Sequence, residues 1–448
     1  MVIDGVSWRI LMPDFAAAWQ QVRAGRVPDP APVTTSVRRW AHALVDAAAA
    51  PERVAELPLW RSVVAGPDPV LGTRRLDPEV DVMATVEKVR VLLPVPVTEA
   101  ALTDLPAAVH GGVNDGLLAA LALAVAQWRR RRGVDEPSTL IRLEGHGREE
   151  DVAPGADLSR TVGWFTSVFP VRLDLAGADI DDAFAGGRAA GDVVKAVKEQ
   201  LLALPDKGMG YGLLRYLNPE TAEVLRDHPI GQIGFNYLGR FSAADMPDEL
   251  RGLGFTQTAE LADFAELAEL DAGHDARMPA LCEVDINATV TDTVDGPRLG
   301  AVFGAPAGVL SADEVRELAD LWCDALIGLT RYAERADAGG LTPSDVPLVT
   351  VTQSAIETWE RRYPGLTDIW PLTALQSGLL FQSQLNDTTF DAYQVQYTLH
   401  LSGSVDPDRM RAAGQALLDR HAALRTAFVS DDDGDQLQLV VDGVELPW

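Results

Sequence analysis

The spacing of apolar residues predicts helices at the start of the chain. Residues 4–25 form a candidate amphipathic helix, because apolar side chains recur at helical intervals. Its candidate inward positions are Val6, Ile10, Phe15 and Trp19. Residues 35–50 are a second candidate helix, and residues 63–82 carry the glycines and prolines that are typical of a loop.

From residue 89 onward, strand-like and helical patterns alternate. Residues 89–97 are apolar and β-branched, like a strand, whereas the helix that ends near residue 131 is apolar on nearly all sides and is predicted to be buried. Further strands are predicted at residues 140–144, 169–175, 233–238, 282–290 and 299–303. Ser311 and Glu314 have the spacing of a capping box that opens a long helix. This alternation predicts an α/β (α+β) two-layer fold.

A segment rich in glycine and proline, residues 337–347, is predicted to be a linker. It separates a first domain, residues 1–340, from a second part, residues 348–448. The elements predicted in the second part are a helix near residues 373–384, a strand over residues 393–401 and a helix that opens at Asp406-Pro407 and ends near residue 423.

Charge and cysteine content exclude several classes of function. The chain has 448 residues, and its net charge of −28 argues against binding to nucleic acid or to an anionic membrane surface. Two cysteines, Cys282 and Cys323, are too few for a disulfide scaffold or a four-cysteine zinc site. No apolar run reaches the ~20 residues of a membrane span, and the N-terminus lacks the basic stretch of a signal peptide. These features predict a soluble cytoplasmic protein without a metal site.

Four motifs follow one another within residues 1–340. They are Glu144–Glu149 (Glu-Gly-His-Gly-Arg-Glu), Thr161–Ser167, Gly208–Tyr216 and Phe235–Arg240. In this order they resemble the motifs of the epimerization domains of non-ribosomal peptide synthetases, which are relatives of the condensation domains. One departure is Phe169-Pro170, where the family has a tyrosine before the proline.

Asp4 and Gly5 resemble the end of the His-His-x-x-x-Asp-Gly motif of the same superfamily. The three x positions are then residues 1–3, and both histidines would precede Met1. The resemblance therefore implies that this chain is an N-terminally truncated epimerization domain and is inactive by itself. A mis-assigned start, a fragment and a true loss of the histidines are the alternatives.

Two further motifs follow the linker. Trp370–Phe381 and Arg420–Phe428 resemble the first and second motifs of a condensation domain, and the third would fall beyond Trp448. The resemblance implies that residues 348–448 are the N-terminal part of a following condensation domain. The motif residues of this part are Gln376, Arg420, His421 and Arg425.

The resemblance also implies a fold and a reaction. The fold is two-lobed, like that of chloramphenicol acetyltransferase, with residues 1–80 ending the N-terminal lobe and residues 85–336 forming the C-terminal lobe. The reaction converts a carrier-tethered L-aminoacyl or peptidyl thioester to the D form at Cα, an isomerase step in antibiotic or siderophore biosynthesis. The substrate is carried on the 4'-phosphopantetheine of an upstream peptidyl carrier domain, with no directly bound cofactor. Downstream condensation and adenylation modules are the other implied partners.

Inversion at Cα needs acid/base groups with pKa values near the working pH. Glu144, at a predicted strand-to-loop junction, is the candidate acid/base, and the resemblance makes Asn236 and Tyr237 candidate hydrogen-bond donors to the enolate. The residues expected to support the site structurally are Asp4, Gly5, Trp8, His146 and Arg148. Trp164 and Tyr211 are candidates to line the substrate cleft.

Each assignment has an alternative. Glu144 could be an ordinary surface carboxylate, and His146 could be the base instead of a structural residue. Trp164 and Tyr211 could be core aromatics. At the level of function, the alternatives are a condensation reaction in place of epimerization and a catalytically inactive carrier-docking or structural segment.

Overall fold

The computed structural model describes residues 2–241, 275–385, 395–431 and 434–448. The chain separates into two units, Met1–Ala338 and Gly339–Trp448, which we call the first unit and the second unit. The division falls within the glycine- and proline-rich segment at residues 337–347.

A six-stranded mixed sheet organises the first unit. Its strands are β1 (Val86–Leu92), β2 (Ser138–Gly145), β3 (Ser167–Asp174), β4 (Ile233–Phe241), β5 (Val284–Thr293) and β6 (Gly296–Pro306). Their spatial order is β1–β6–β5–β4–β2–β3. The pairs β2/β4 and β4/β5 are parallel, and the other pairs are antiparallel. Three parallel neighbours, β2, β4 and β5, therefore lie within the middle of the sheet.

Helices precede, connect and follow these strands along the chain. They are α1 (Gly5–Arg23), α2 (Val37–Ala48), α3 (Pro51–Val54), α4 (Leu57–Ala65), α5 (Val95–Leu102), α6 (Asp104–Ala108), α7 (Val113–Arg131), α8 (Ile180–Ala185), α9 (Arg188–Leu202), α10 (Met209–Gly212), α11 (Pro219–Leu225) and α12 (Ala312–Ala333). Short 3₁₀ turns occur at Met83–Thr85, Glu150–Val152 and Pro205–Gly208, and a π-helical turn occurs at Leu213–Leu217.

The core lies between the helices and one face of the sheet. All residues of α7 from Gly116 to Ala126 are buried, which confirms the burial predicted from its apolar composition. Trp322 on α12 donates its indole N–H to the carbonyl of Leu117 at 3.2 Å, so the two long helices are joined by a buried hydrogen bond. The capping box predicted at Ser311 and Glu314 is present at the start of α12.

The sheet has one apolar and one polar face, because side chains alternate along its strands. On β5, the fully buried side chains of Val284, Ile286 and Ala288 belong to the core. The residues between them face the opposite side. We call this opposite side the polar face; it carries Arg142, Glu144, Asn236, Asp285 and Asn287.

Five of the six predicted strands of the first unit are confirmed, but the first is shorter than predicted. β1 ends at Leu92, and Val95 already begins α5, so the prediction of a strand over residues 89–97 is wrong at its end. Pro94 explains the change, because proline cannot donate a ladder hydrogen bond and is well suited to the start of a helix.

The helix predicted at residues 4–25 is present as α1, but two of its four predicted inward positions are wrong, whereas Val6 and Ile10 are half-buried. Phe15 and Trp19 are 57% and 48% exposed, whereas the buried side chains of α1 are Ser7 and Ala16. The rotation of α1 is set by polar contacts at its first turn, where the Ser7 hydroxyl donates to the Gly163 carbonyl at 2.8 Å. Hydrophobic spacing alone does not contain that tertiary contact.

Residues 2–80 do not stand apart from the rest of the first unit in the described structure. Trp60, Val64 and Leu71 belong to the same buried cluster as the sheet and α7. Trp40 on α2 packs in a second cluster with Phe165. The lobe boundary expected near residues 80–85 is therefore not a division between separate cores.

The predicted linker is partly a core segment of the second unit. Leu341 and Val346 are buried in that unit's hydrophobic cluster. Thr342 and Asp345 form a capping box around a 3₁₀ turn, Pro343–Asp345. The glycines and prolines thus correctly indicate irregular backbone in this segment. The apolar side chains of Leu341 and Val346 nevertheless pack into the core of the second unit.

The second unit contains a three-stranded antiparallel sheet in the order β7–β9–β8. Its elements are α13 (Gln353–Arg362), β7 (Leu366–Pro371), α14 (Ala374–Leu385), α15 (Pro407–Arg420), a 3₁₀ turn at Ala422–Leu424, β8 (Thr426–Ser430) and β9 (Gln436–Val441). The helices predicted near residues 373–384 and from Asp406 are confirmed as α14 and α15.

The strand predicted over residues 393–401 is wrong for its described part. Residues 395–401 have no regular secondary structure and are exposed, and residues 393–394 lie outside the described residues. Their alternating pattern is typical of a strand, but a strand forms only when a neighbouring strand supplies hydrogen bonds. None of the described strands pairs with this segment.

The length and apolar composition of the described helices can be compared with those of a membrane-spanning helix. Among the described residues, no single helix has both the length and the apolar composition of a span, and the pair Val95–Ala108 and Val113–Arg131, bent by 104°, has them only when taken together.

Candidate active site

Two predicted site residues meet on the polar face. β2 and β4 run parallel with Leu143 opposite Phe235, so Glu144 and Asn236 follow in the same register. The Asn236 side-chain amide donates to Oε2 of Glu144 at 3.0 Å. Burial raises the pKa of the Glu144 carboxyl, the charge of Asp285 raises it further, and Arg142 opposes both. Glu144 is thus a partly buried, oriented carboxyl group whose pKa is shifted toward neutral pH.

The neighbouring strand adds two polar residues that the sequence motifs do not mark. Asn287 on β5 lies opposite Asn236, and Asp285 lies opposite Gly234. The Asn287 amide donates to Oδ2 of Asp285 at 2.8 Å. The signal that could have found them is the alternation at the start of β5, where Asp285 and Asn287 alternate with the apolar residues Val284, Ile286 and Ala288.

A sharp turn follows Glu144 and fixes the direction of the chain. Gly147 has φ +65°, and a Cβ atom there would lie 1.7 Å from the carbonyl oxygen of Phe165. The turn therefore requires glycine at this position. His146 is exposed; its Nδ1 accepts from the Arg148 backbone N–H at 3.0 Å, and its Nε2 lies 3.3 Å from Glu149. The imidazole thus serves the turn, and the contacts that the structure gives it do not include Glu144.

Arg148 anchors this turn to the first turn of α1. Its guanidinium donates to Oδ1 of Asp4 at 3.2 Å, and Asp4 also accepts from the Ser7 N–H at 2.7 Å and the Phe165 N–H at 3.2 Å. Burial opposes ionisation of Asp4, but these hydrogen bonds and the Arg148 charge together hold its pKa below the usual range. The partner that the sequence left open for Arg148 is therefore Asp4.

The same guanidinium also binds the loop before β3, which contains the motif Thr161–Ser167. Arg148 donates to the carbonyls of Leu158 and Thr161 at 2.9 and 2.7 Å and lies over the ring of Phe165, 4.1 Å from its centroid. Three segments that are distant in sequence, the start of α1, the turn after β2 and residues 158–165, thus share one buried cation.

Gly5 and Trp8 contribute less than the motif resemblance implies. A Cβ atom at Gly5 would have no heavy atom within 4 Å, so the described structure has room for a side chain there. Trp8 is largely exposed on α1, and Trp164 is likewise exposed. The assignment of Trp164 to the substrate cleft stays a prediction.

Two tyrosines lie on the core side of the sheet, contrary to their predicted roles. Tyr211 is 1% exposed, packs edge-on against Trp60 with ring centroids 5.4 Å apart, and accepts a hydrogen bond from Arg215. A substrate cannot reach it, so the cleft assignment is corrected to a core role. Tyr237 follows Asn236 and therefore points to the opposite face, where it packs against the helix-side core. It does not share the polar face with Glu144.

In the second unit, the motif residues have structural contacts. Oε1 of Gln376 accepts from the backbone N–H of Thr373 at 2.8 Å and caps α14. The Arg425 guanidinium pairs with Asp442 and donates to the Val441 carbonyl at 3.2 Å, which ties β8 to the end of β9. Arg420 and His421 are exposed at the end of α15. These contacts hold secondary structure elements together.

In the part of the chain that the structure describes, no three His, Cys, Asp or Glu side chains are grouped as metal ligands. The polar face presents the carboxyl groups of Glu144 and Asp285 and the amide groups of Asn236 and Asn287.

Comparison with known proteins gives consistent matches. The family model "Condensation domain" matches residues 1–264 and 367–448. One of the linear gramicidin synthase polypeptides of Brevibacillus parabrevis is 35% identical over 432 residues, which is 96% of this chain and 5% of that protein. Tyrocidine synthase 1 of the same organism is 30% identical over 346 residues, which is 77% of this chain and 30% of that protein. The chain thus spans only a small part of the length of these relatives.

One solved structure carries the comparison of folds. The epimerization domain from the third module of tyrocidine synthetase B aligns with a TM-score of 0.59 and 29% sequence identity, covering 74% of this chain and 67% of that chain. This similarity confirms the predicted mixed α/β fold, a sheet covered by helices, of the chloramphenicol-acetyltransferase-like type.

Proposed function

Because the chain belongs to the condensation-domain family of non-ribosomal peptide synthetases, we propose that its first unit is an epimerization domain. Its substrate is an L-aminoacyl or peptidyl thioester on the 4'-phosphopantetheine arm of a carrier domain, and its product is the D form at Cα. No other cofactor and no metal take part in the proposed reaction. Partner modules upstream and downstream in the same synthetase supply the substrate and consume the product.

The observation that carries this proposal is the hydrogen-bonded pair of Glu144 and Asn236 on the polar face. Exchange of a Cα proton needs a group that both accepts and returns a proton, and such a group works best when its pKa lies near the working pH. Burial moves the pKa of Glu144 in that direction. Asn236 holds one carboxyl oxygen, which leaves the other for the reacting proton.

Two observations favour epimerization over condensation. The hexapeptide Glu144–Glu149 resembles the epimerization signature, and Glu144 from that hexapeptide is the residue that meets Asn236. The tyrocidine synthetase domain, at 29% identity, is itself an epimerization domain. A peptide-bond-forming domain has no need of Cα proton exchange, so this exchange separates the two functions.

The test is exchange of the Cα proton into deuterated water by a carrier-bound aminoacyl group, measured by mass spectrometry. The polypeptide is extended so that a His-His pair precedes Asp4 in the motif spacing, because the resemblance places a second acid/base group there. We expect Glu144→Gln to lower the exchange rate at least about tenfold. Glu220→Gln, at an exposed position on α11, is the matched control and keeps the full rate.

Two results would contradict the proposal. One is Cα exchange in Glu144→Gln at the rate of the Glu220→Gln control. The other is formation of a peptide bond with an aminoacyl acceptor in the absence of Cα exchange, which would assign the condensation reaction to the first unit.

The second unit is proposed to begin a following condensation domain. The support is that the family model matches residues 367–448 separately and that this unit has a core of its own. On α15, Met410 and Leu417 are exposed apolar residues. In a polypeptide that continues this unit with a condensation-domain sequence, amide exchange in α15 should slow; unchanged exchange would contradict the assignment.

A further inference from the structure

A second carboxylate lies on the polar face beside Glu144. Across three strands, Arg142 on β2 lies opposite Gly234 on β4, which lies opposite Asp285 on β5. A Cβ atom at Gly234 would be 2.9 Å from Oδ1 of Asp285. The Asp285 carboxylate therefore leans over β4 toward β2, into space that only glycine leaves open.

The orientation of Asp285 is fixed from its own strand. The Asn287 amide donates to Oδ2 of Asp285 at 2.8 Å, and Asn287 lies opposite Asn236, which bonds Glu144. Two adjacent rows of the sheet thus hold Asp285 and Glu144 through one asparagine each. Asparagine donates these two hydrogen bonds without adding a charge to the polar face.

Few other groups act on Glu144 in the described structure. The charged side chains that influence it are Asp285 and Arg142. Arg142 donates to the carbonyl of Leu281 at 2.8 Å and lies in the same row of the sheet as Asp285. From β4 the neighbours are the neutral residues Gly234 and Asn236, and from β3 the residue opposite Glu144 is Val168.

We propose that Asp285, oriented by Asn287 across Gly234, is a positioning residue whose negative charge governs whether Glu144 meets the substrate as the acid or as the base. This inference rests on the proposed function for the role of Glu144, but the coupling of the two carboxyl groups does not. Like charges that share a partly buried surface favour protonation of one of them. The charge of Asp285 therefore raises the pKa of the Glu144 carboxyl, in addition to the effect of burial.

The direct test is titration of Glu144 by NMR in the full chain with ¹³C-labelled glutamate carboxyl groups. The Glu144 signal is identified by its disappearance in Glu144→Gln. Asp285→Asn removes the charge at nearly constant shape, and we expect it to lower the pKa of Glu144 by at least about half a unit. Asp295→Asn, in the exposed turn between β5 and β6, removes an equal charge and should leave that pKa unchanged.

A second variant tests the geometry. In Gly234→Ala the added methyl group collides with Asp285 and with Sγ of Cys282, also 2.9 Å away. We expect it to displace the carboxylate and to lower the pKa of Glu144 as Asp285→Asn does. If Gly234→Ala fails to fold, Asp285→Asn decides alone. An unchanged Glu144 titration in Asp285→Asn, or an equal shift in Asp295→Asn, would overturn the inference.

The activity of the extended polypeptide separates this inference from the proposed function. If both hold, the limb of the pH–rate profile that depends on Glu144 moves to lower pH in Asp285→Asn by the same amount as the NMR titration. A shifted titration together with full activity in Glu144→Gln would preserve the coupling and reject the catalytic assignment.

Discussion

The contact between Asp4 and Arg148 allows a quantitative test of how α1 is held. Asp4 is 5% exposed, and Asp4→Ala removes the acceptor of the Ser7 and Phe165 N–H groups and the partner of a buried guanidinium. Removal of one member of a buried ion pair costs about 3–5 kcal/mol, because the remaining charge loses its partner. Few apolar contacts compensate, because the side chains of α1 that are buried are Ser7 and Ala16.

Amide hydrogen exchange measures this cost locally, which matters because a chain of two units need not unfold in one step. A loss of at least about 3 kcal/mol corresponds to exchange about a hundredfold faster in α1. Asp14→Ala is the matched control. Asp14 is also on α1 and forms an ion pair with Arg160, but the side chains of both residues are partly exposed. We expect that control to cost less than about 1 kcal/mol. Equal effects of the two variants would refute the anchoring role of Asp4.

The pH dependence follows from the direction of the Asp4 shift. The folded protein holds the pKa of Asp4 below its usual value, so its contribution is present above the unfolded pKa and is lost as the pH falls through the folded pKa. The difference between the protein and Asp4→Ala should therefore be full at pH 7 and shrink below about pH 4. A difference that grew on acidification would contradict the assignment.

Two further predictions concern the turn after β2 and the division between the units. Gly147→Ala should destabilise the first unit by more than about 2 kcal/mol in thermal unfolding. Gly155 also has a positive φ but no atom near its Cβ position, so Gly155→Ala should cost only about 1 kcal/mol. Similar losses of stability in the two variants would contradict the steric argument. Trypsin should first cut after the exposed Arg335, and Arg335→Gln should slow release of the second unit. Thermolysin, which cleaves before apolar residues, should spare Leu341 and Val346, and early cleavage there would contradict their burial.

The sequence was sufficient for the elements whose pattern is local. The buried helix α7, the strands β2 to β6 and the capping box of α12 follow from apolar spacing and from residues at their own ends. The tertiary environment decided the rest. Phe15 and Trp19 have helical spacing but lie on the exposed side of α1, because its polar first turn sets the rotation. Residues 395–401 alternate like a strand but pair with no described strand.

The candidate site shows the same distinction. Glu144 and Asn236 come from recognisable motifs, and the parallel register of β2 and β4 brings them to 3.0 Å. Tyr237 comes from the same motif as Asn236, but the two-residue period of a strand places it on the opposite face. Asp285 belongs to none of the motifs, and its position beside Glu144 depends on the sheet order β5–β4–β2, which the sequence does not contain.

The geometry of the hexapeptide explains why its residues occur together. Glu144 is the penultimate residue of β2 and faces the polar side of the sheet, and four residues later Arg148 binds Asp4. Between them, Gly147 is the position at which the backbone passes within contact of the Phe165 carbonyl. The turn therefore connects the acid/base candidate to the anchor of α1 through five consecutive residues. We therefore expect a change at Asp4 to reach Glu144 by loosening this turn, because the contacts of Asp4 are with Ser7, Arg148 and Phe165.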